Sequence, residues 1–176
     1  MQIRPATPDD APSIGRVQVE TWRAAYRGIV AEGTLAGLAP EERAREWRAL
    51  LTDPSGARFM FVAHDATEGL LGFAAAGPER SSDPAYRGEL YAIYVRPSHQ
   101  RRGVGRGLVR AVAGRLAAAG TRSMLLWVLA ANAPGRAFYE ALGGAVVREQ
   151  LIDIAGEILT EVAYGWPSLT VLLEAS

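Results

Sequence analysis

Apolar positions along this chain recur in two periods, and the switches between them mark its elements. Met1 to Ala6 reads as a first strand. Thr7-Pro8-Asp9-Asp10 then supplies a helix start, with a capping hydroxyl, a first-turn proline and acids at the positive end of the dipole; Asp10 is an alternative cap. This helix is predicted to run to about Arg23, and a second from Pro40 to Leu51, with Tyr26 to Val30 irregular between them. Arg58 to His64 and Leu70 to Ala76 form a predicted hairpin around Thr67-Glu68-Gly69. Glu89 to Val95 is the next strand, ended by Arg96-Pro97. From Arg106 to Ala119 the period becomes helical: Leu108, Val109, Val112 and Leu116 share a face, Arg106, Arg110 and Arg115 lie off it, and Gly120 suits the C-terminal cap. Ser123 to Leu129 is nearly continuously apolar, as in a strand covered on both faces. Pro134 to Leu142 is a short helix stopped by Gly143-Gly144. Val146 to Ile154 and Glu157 to Tyr164 close the chain as a hairpin around Ala155-Gly156.

The resulting order is strand, two helices, three strands, helix, strand, helix, two strands, a mixed α/β layer fold rather than a regular parallel repeat. No repeat, low-complexity tract or long linker divides the 176 residues, so one domain over residues 1–176 is expected. Composition narrows the chemistry. There is no cysteine, which excludes disulfides, thiolate metal sites and a cysteine nucleophile. All 19 basic residues are arginine, which excludes Schiff-base chemistry. Those 19 cations balance 19 acids, so wholesale attraction to nucleic acid or anionic membrane is not implied. His64 and His99 show no metal-ligand spacing, and His99 is expected to be a solvated loop residue. Without a signal-like or membrane-length apolar segment, the cytoplasm is the expected compartment.

The chemistry concentrates between the strand ending at Val95 and the helix near Arg106. The loop reads Gln100-Arg101-Arg102-Gly103-Val104-Gly105. The first amides of a helix lack internal partners and attract anions. Glycine lets backbone approach phosphate oxygens, and arginines add charge-assisted hydrogen bonds. This is a cradle for a pyrophosphate. A P-loop would require lysine followed by Ser or Thr, and no lysine exists. A dinucleotide fingerprint would require glycine at position 108, which is leucine.

Gln100-x-x-Gly103-x-Gly105, between a strand and an amphipathic helix, resembles the signature of the GNAT superfamily of acetyl-CoA-dependent N-acetyltransferases. The likeness extends to Glu89-Leu90-Tyr91-Ala92-Ile93-Tyr94-Val95-Arg96-Pro97, similar to that family's fourth strand, and to Asn132 through Tyr139-Glu140-Ala141-Leu142-Gly143, similar to the exit of its fifth strand and the next helix. Thr21-Trp22-Arg23-Ala24-Ala25-Tyr26 and the closing Tyr164-Gly165-Trp166 also fit, so nearly the whole chain is covered. Gly144, where an aromatic is common, and Pro134-Gly135 beside Asn132 depart from the pattern.

The resemblance implies a mixed, mostly antiparallel sheet of about seven strands with splayed fourth and fifth strands, flanked by about four helices. It implies acetyl-CoA as acetyl donor and no metal. The pantetheine arm would lie along the main chain of Ile93, Tyr94 and Val95, with a backbone amide polarising the thioester carbonyl. Gln100, Arg101, Arg102, Gly103, Val104, Gly105 and Arg106 would face the pyrophosphate, with Phe138 and Asn132 nearby; Asn132 either meets the coenzyme or bonds its own turn. Tyr139 is the candidate general acid, since a phenol with a pKa of about 10 is protonated at neutral pH; packing against the sheet with Phe138 is the competing reading. Glu89 is the candidate base, acting through water, or else a solvated strand end. Strand alternation puts it on one face with Tyr91, Ile93 and Val95. Asp153 and Glu157, beside the last hairpin turn, suggest surface roles.

Trp22, Tyr26 and Tyr91 are expected to line the acceptor site, although Trp22 also suits a core anchor. A small-molecule amine is the expected acceptor, with a protein or peptide amine and a non-catalytic acyl-CoA sensor as rivals. A homodimer through the apolar Leu169 to Leu173 is a further expectation. With no cysteine to carry the acetyl group, transfer is expected to be direct. Mass spectrometry of the protein mixed with acetyl-CoA should therefore find no covalent acetyl-enzyme; its accumulation would overturn direct transfer.

Overall fold

A computed structural model of the chain describes residues 1–174. The strands are β1 (Gln2–Pro5), β2 (Phe59–Asp65), β3 (Gly69–Pro78), β4 (Gly88–Val95), β5 (Met124–Leu129), β6 (Ala145–Ile154) and β7 (Glu157–Trp166). The helices are α1 (Ala11–Ala25), α2 (Glu32–Ala36), α3 (Pro40–Leu51), α4 (Val104–Ala118), α5 (Ala133–Ala141) and α6 (Thr170–Glu174). Single 3-10 turns at Pro8–Asp10 and Pro97–His99 lead into α1 and into the loop before α4. The strands form one sheet in the order β1-β2-β3-β4-β5-β7-β6. Every pairing is antiparallel except β4 with β5.

The mixed α/β fold and its seven strands match the expectation, and the differences have local causes. Helices α2 and α6 have only five residues each, too few to show a period, and α2 contains Gly33. Helix α4 begins at Val104 rather than Arg106, because Gly103 adopts φ +81° and turns the chain directly into it. The C-terminal apolar run is mostly core: Leu169 and Leu172 are buried, leaving Val171 exposed.

Two apolar layers cover the sheet. On one face Leu108, Val109, Val112 and Leu116 of α4 pack with Tyr139 and Leu142, with Leu169 and Leu172, and with Tyr164 and Trp166 of β7. On the other, Ile14 and Val17 of α1 and Trp47 of α3 close over Met60, Val62 and Phe73. Gly15 permits the α1–α3 contact, since a Cβ there would lie 2.3 Å from the Pro40 carbonyl oxygen.

One irregularity shapes everything near the loop. Ala75 pairs with Ala92 but Ala76 pairs with Leu90, so Tyr91 is an extra residue in β4. This bulge reverses the alternation beyond it. Leu90, Ile93 and Val95 all face the α4 layer, whereas Ala92 and Tyr94 face the α1 layer. The expectation that Glu89 shares a face with Ile93 and Val95 is therefore corrected. Glu89 looks into a cavity with Tyr91 and Tyr94 instead.

Trp166 locks β7 to the end of α5. It is 1% exposed and its indole N–H donates to the Leu142 carbonyl at 2.9 Å. Trp166→Ala is expected to lower unfolding free energy by about 3–5 kcal/mol, read from urea denaturation.

Candidate active site

Strands β4 and β5 are in register only from Gly88–Met124 to Leu90–Leu126. Beyond Leu90 they separate, leaving one edge of β4 from Tyr91 to Val95 without a strand partner among the described residues. Main-chain polar groups inside a protein need partners. An open edge between two strands suits an extended chain that supplies amides of its own, as pantetheine does.

The loop lies where this cleft ends. Arg101 and Gly103 both have left-handed backbone, φ +57° and +81°. Alternating handedness turns successive amides to one side and forms an anion-binding concavity at the helix start. Arg101, Arg102 and Arg106 are exposed around it. The two glycines have different tasks. A Cβ on Gly103 would meet nothing within 4 Å, so glycine is needed there for its φ alone. A Cβ on Gly105 would lie 3.0 Å from the Phe138 ring, so glycine lets α5 approach α4. Gln100, exposed, donates from Nε2 to the Val95 carbonyl at 3.1 Å, fastening the loop to the end of β4. The backbone cradle, the guanidinium groups and the open strand edge together fit a coenzyme A diphosphate and its arm. His99 is buried rather than solvated, bonded to Glu68 at 2.8 Å and to Ser98 at 2.9 Å.

Asn132 caps α5, accepting the Gly135 amide at 3.0 Å, and its side chain also meets the Tyr26 phenol. Tyr139 is buried among Phe138, Tyr164 and Trp166, at ring distances of 5.4, 5.8 and 6.5 Å. Burial, with the nearby Tyr26 and Tyr94 phenols, raises its pKa above the ordinary tyrosine value. Burial, again with Tyr26, does the same to Tyr94. Tyr26, Tyr94 and Tyr139 thus converge, though they come from the C-terminal cap of α1, from β4 and from α5.

On the α1 side lies a cavity of about 410 Å³, lined by Trp22, Tyr26, Glu79, Arg80, Glu89, Tyr91, Tyr94, Trp127, Gln150, Ile152 and Glu161 among others. Trp22 and Tyr26 meet edge to face at 4.8 Å on one wall. Glu89, 2% exposed, is held by Arg80: Nη2 lies 2.5 Å from Oε1, and Nε and the backbone amide approach at 3.1 Å. The same guanidinium stacks on Tyr91, 4.6 Å from the ring centroid. Burial, with the Glu89 charge, lifts the Tyr91 pKa to about 12. The Tyr91 hydroxyl donates to the Pro78 carbonyl at 2.5 Å. The β6–β7 hairpin closes the far wall. There Glu161, buried, accepts the Gln150 amide at 2.7 Å. Glu157, at the surface, accepts the Ala31 amide at 3.1 Å and ties the hairpin to the start of α2. Asp153 caps the turn at Gly156.

The structure thus brings Glu89, Tyr91, Tyr94, Trp22 and Tyr26 around one cavity, and Gln100 to Arg106 around one loop. Tyr139, Asn132 and Phe138 lie between the two. Sequence reasoning missed Arg80, Trp127, Gln150 and Glu161. Glu161 did carry a signal, an acid in an otherwise apolar stretch of β7. Among the described residues, no cluster of three or more metal-capable side chains exists, and no helix is long and apolar enough to cross a membrane.

A splayed parallel pair ending at a glycine-arginine cradle, with an aromatic, acidic cavity beside it, defines a coenzyme A-dependent acyltransferase. Residues 19–144 match the model of the acetyltransferase (GNAT) family. The chain is 38% identical over 170 residues to an uncharacterized N-acetyltransferase, YuaI, of Bacillus subtilis (strain 168), covering 97% of this chain and 95% of that one. A mycothiol acetyltransferase of Mycobacteroides abscessus is 35% identical over 130 residues, covering 73% of this chain but 38% of that longer protein. The PaiA N-acetyltransferase of Thermoplasma acidophilum, solved with coenzyme A, shares the fold with TM-score 0.73 at 20% identity, covering 91% of this chain and 96% of that one. YncA of Salmonella typhimurium, solved with acetyl-CoA, gives 0.67 at 21% identity, covering 96% and 93%. The chain belongs to the GNAT family and is an N-acetyltransferase that draws its acetyl group from acetyl-CoA.

Because Gly103 has open space but a left-handed backbone, Gly103→Ala should cost about 1–2 kcal/mol through strain alone and weaken coenzyme A binding. Gly103→Asn, better tolerated at positive φ, should recover part of both. Urea denaturation and calorimetric titration with coenzyme A check the pair.

Proposed function

We propose that the chain acetylates the primary amine of a small molecule by direct attack in a ternary complex. The observation that carries this reading is the cavity beside the splayed strands. Its volume of about 410 Å³ lies within the span typical of small-molecule sites, and it is walled by α1, the β3–β4 loop, β4, β5 and the closing hairpin. A space of this volume suits a compact acceptor.

Acetyl-CoA supplies an activated thioester, and the residues supply positioning and protons. Main chain in β4 beyond the Tyr91 bulge faces the open cleft, where an amide is available to the thioester oxygen. The cradle from Gln100 to Arg106, with Phe138 and Asn132 behind it, anchors the diphosphate end. Tyr139 holds a proton at Oη for the departing sulfur. Its raised pKa keeps it protonated through neutral and mildly alkaline pH, so the donor form is lost only above the ordinary tyrosine range. Glu89, ion-paired with Arg80, takes the acceptor's proton through water rather than by contact. Trp22, Tyr26 and Tyr91 hold the acceptor's body. We place this single unit in the cytoplasm, acting without nucleic acid or membrane. The exposed Val146 and Val147 of edge strand β6, together with Val171, offer a surface for a homodimer.

Free thiol release from acetyl-CoA across an amine panel tests the reading; binding of acetyl-CoA with no turnover on any amine would overturn it in favour of a sensor. Tyr139→Phe is expected to lower kcat by about a hundredfold or more while leaving coenzyme A affinity nearly unchanged. A large loss of affinity would make Tyr139 a packing residue instead.

A further inference from the structure

The cavity contains two buried carboxylates in different electrostatic situations. Glu89 has its charge matched by Arg80. Glu161 does not. It is 8% exposed, and among the described residues its carboxylate's one hydrogen bond is from the neutral Gln150 amide. Among the described residues no cation lies within ion-pair distance of it. Sheet register holds it there, opposite Gln150 on β6 and Leu129 on β5. Its negative charge reaches across the cavity, acting on Tyr26 on one wall and Arg80 on another. A buried carboxylate bonded only to a neutral group is costly, and a bound cation would relieve that cost. The surrounding rings of Trp22, Tyr26, Tyr91, Tyr94 and Trp127 add faces that attract cations.

We propose that Glu161 is the specificity-determining anchor for a cationic acceptor: its carboxylate pairs with an ammonium of the incoming molecule and selects organic cations over neutral molecules of the same shape. This deepens, and rests on, the assignment of the cavity to the amine acceptor. Glu89 cannot fill the role without giving up Arg80. Glu161 fills it without breaking any ion pair.

The test compares two isosteres, 2-phenylethylamine, protonated at neutral pH, and 2-phenylethanol, by calorimetry on protein loaded with coenzyme A, which carries no acetyl group to transfer. The wild type should prefer the amine about tenfold or more. Glu161→Gln, which keeps the shape and a partner for Gln150, should abolish the preference while leaving coenzyme A affinity unchanged and not lowering the unfolding midpoint. Equal binding of the two probes, binding of neither, or a preference surviving Glu161→Gln would overturn the anchor. Thiol release from acetyl-CoA separates this from the proposed function. Cation preference without turnover on any amine leaves the anchor standing and removes small-molecule acetylation. Turnover without cation preference does the reverse.

Discussion

The early parting of β4 and β5 is the constraint on which the site depends. Three residue pairs hold them together, and the Tyr91 bulge lies immediately beyond. The bulge turns Glu89 and Tyr94 toward the α1 side while Ile93 and Val95 remain on the α4 side. The same strand thereby serves two purposes. Its edge beyond Leu90 has no strand partner among the described residues, and its side chains on the α1 side build one wall of the cavity. Straight pairing along the whole of β4 would close the cleft and move Tyr94 out of the cavity.

Burial then sets the chemistry of the groups gathered there. Tyr26, Tyr94 and Tyr139 meet in a region with little water, and all three phenols are held above their ordinary pKa chiefly by desolvation. Protonated phenols can donate hydrogen bonds without adding charge. The charges lining the cavity are Glu79, Arg80, Glu89 and Glu161; Arg80 and Glu89 form an ion pair, and Glu161 forms none among the described residues. The coenzyme side has the opposite character, with exposed arginines around a turn of backbone amides. The loop and the cavity thus carry opposite charge, arginines around the one and a majority of acids in the other.

Much of this was legible in the residues. The helical face of Leu108, Val109, Val112 and Leu116, the continuous apolar run of β5 and the closing hairpin all follow from period and composition. The loop from Gln100 to Gly105 was legible because its requirements are local: a positive φ at Gly103, a helix start, nearby arginines. Its internal division of labour was not. That Gln100 bonds the Val95 carbonyl and that Gly105 makes room for Phe138 depend on neighbours supplied by other elements. His99 looked solvated because its partner, Glu68, sits thirty-one positions away at the start of β3.

The sequence by itself determined the layer fold, the glycine-arginine loop at the start of α4 and the absence of a covalent cysteine route, because these rest on local periodicity, backbone conformation and residue inventory. Only the tertiary structure decided the cavity that Glu89 and Glu161 share. Strict alternation gave the wrong face for half of β4, since one extra residue reverses every side chain after it. Arg80 reaches Glu89 through a loop with no periodic signal, and Glu161 comes from a strand that the chain visits last. These residues share a cavity because of sheet order and strand register, which are set by packing across the whole molecule.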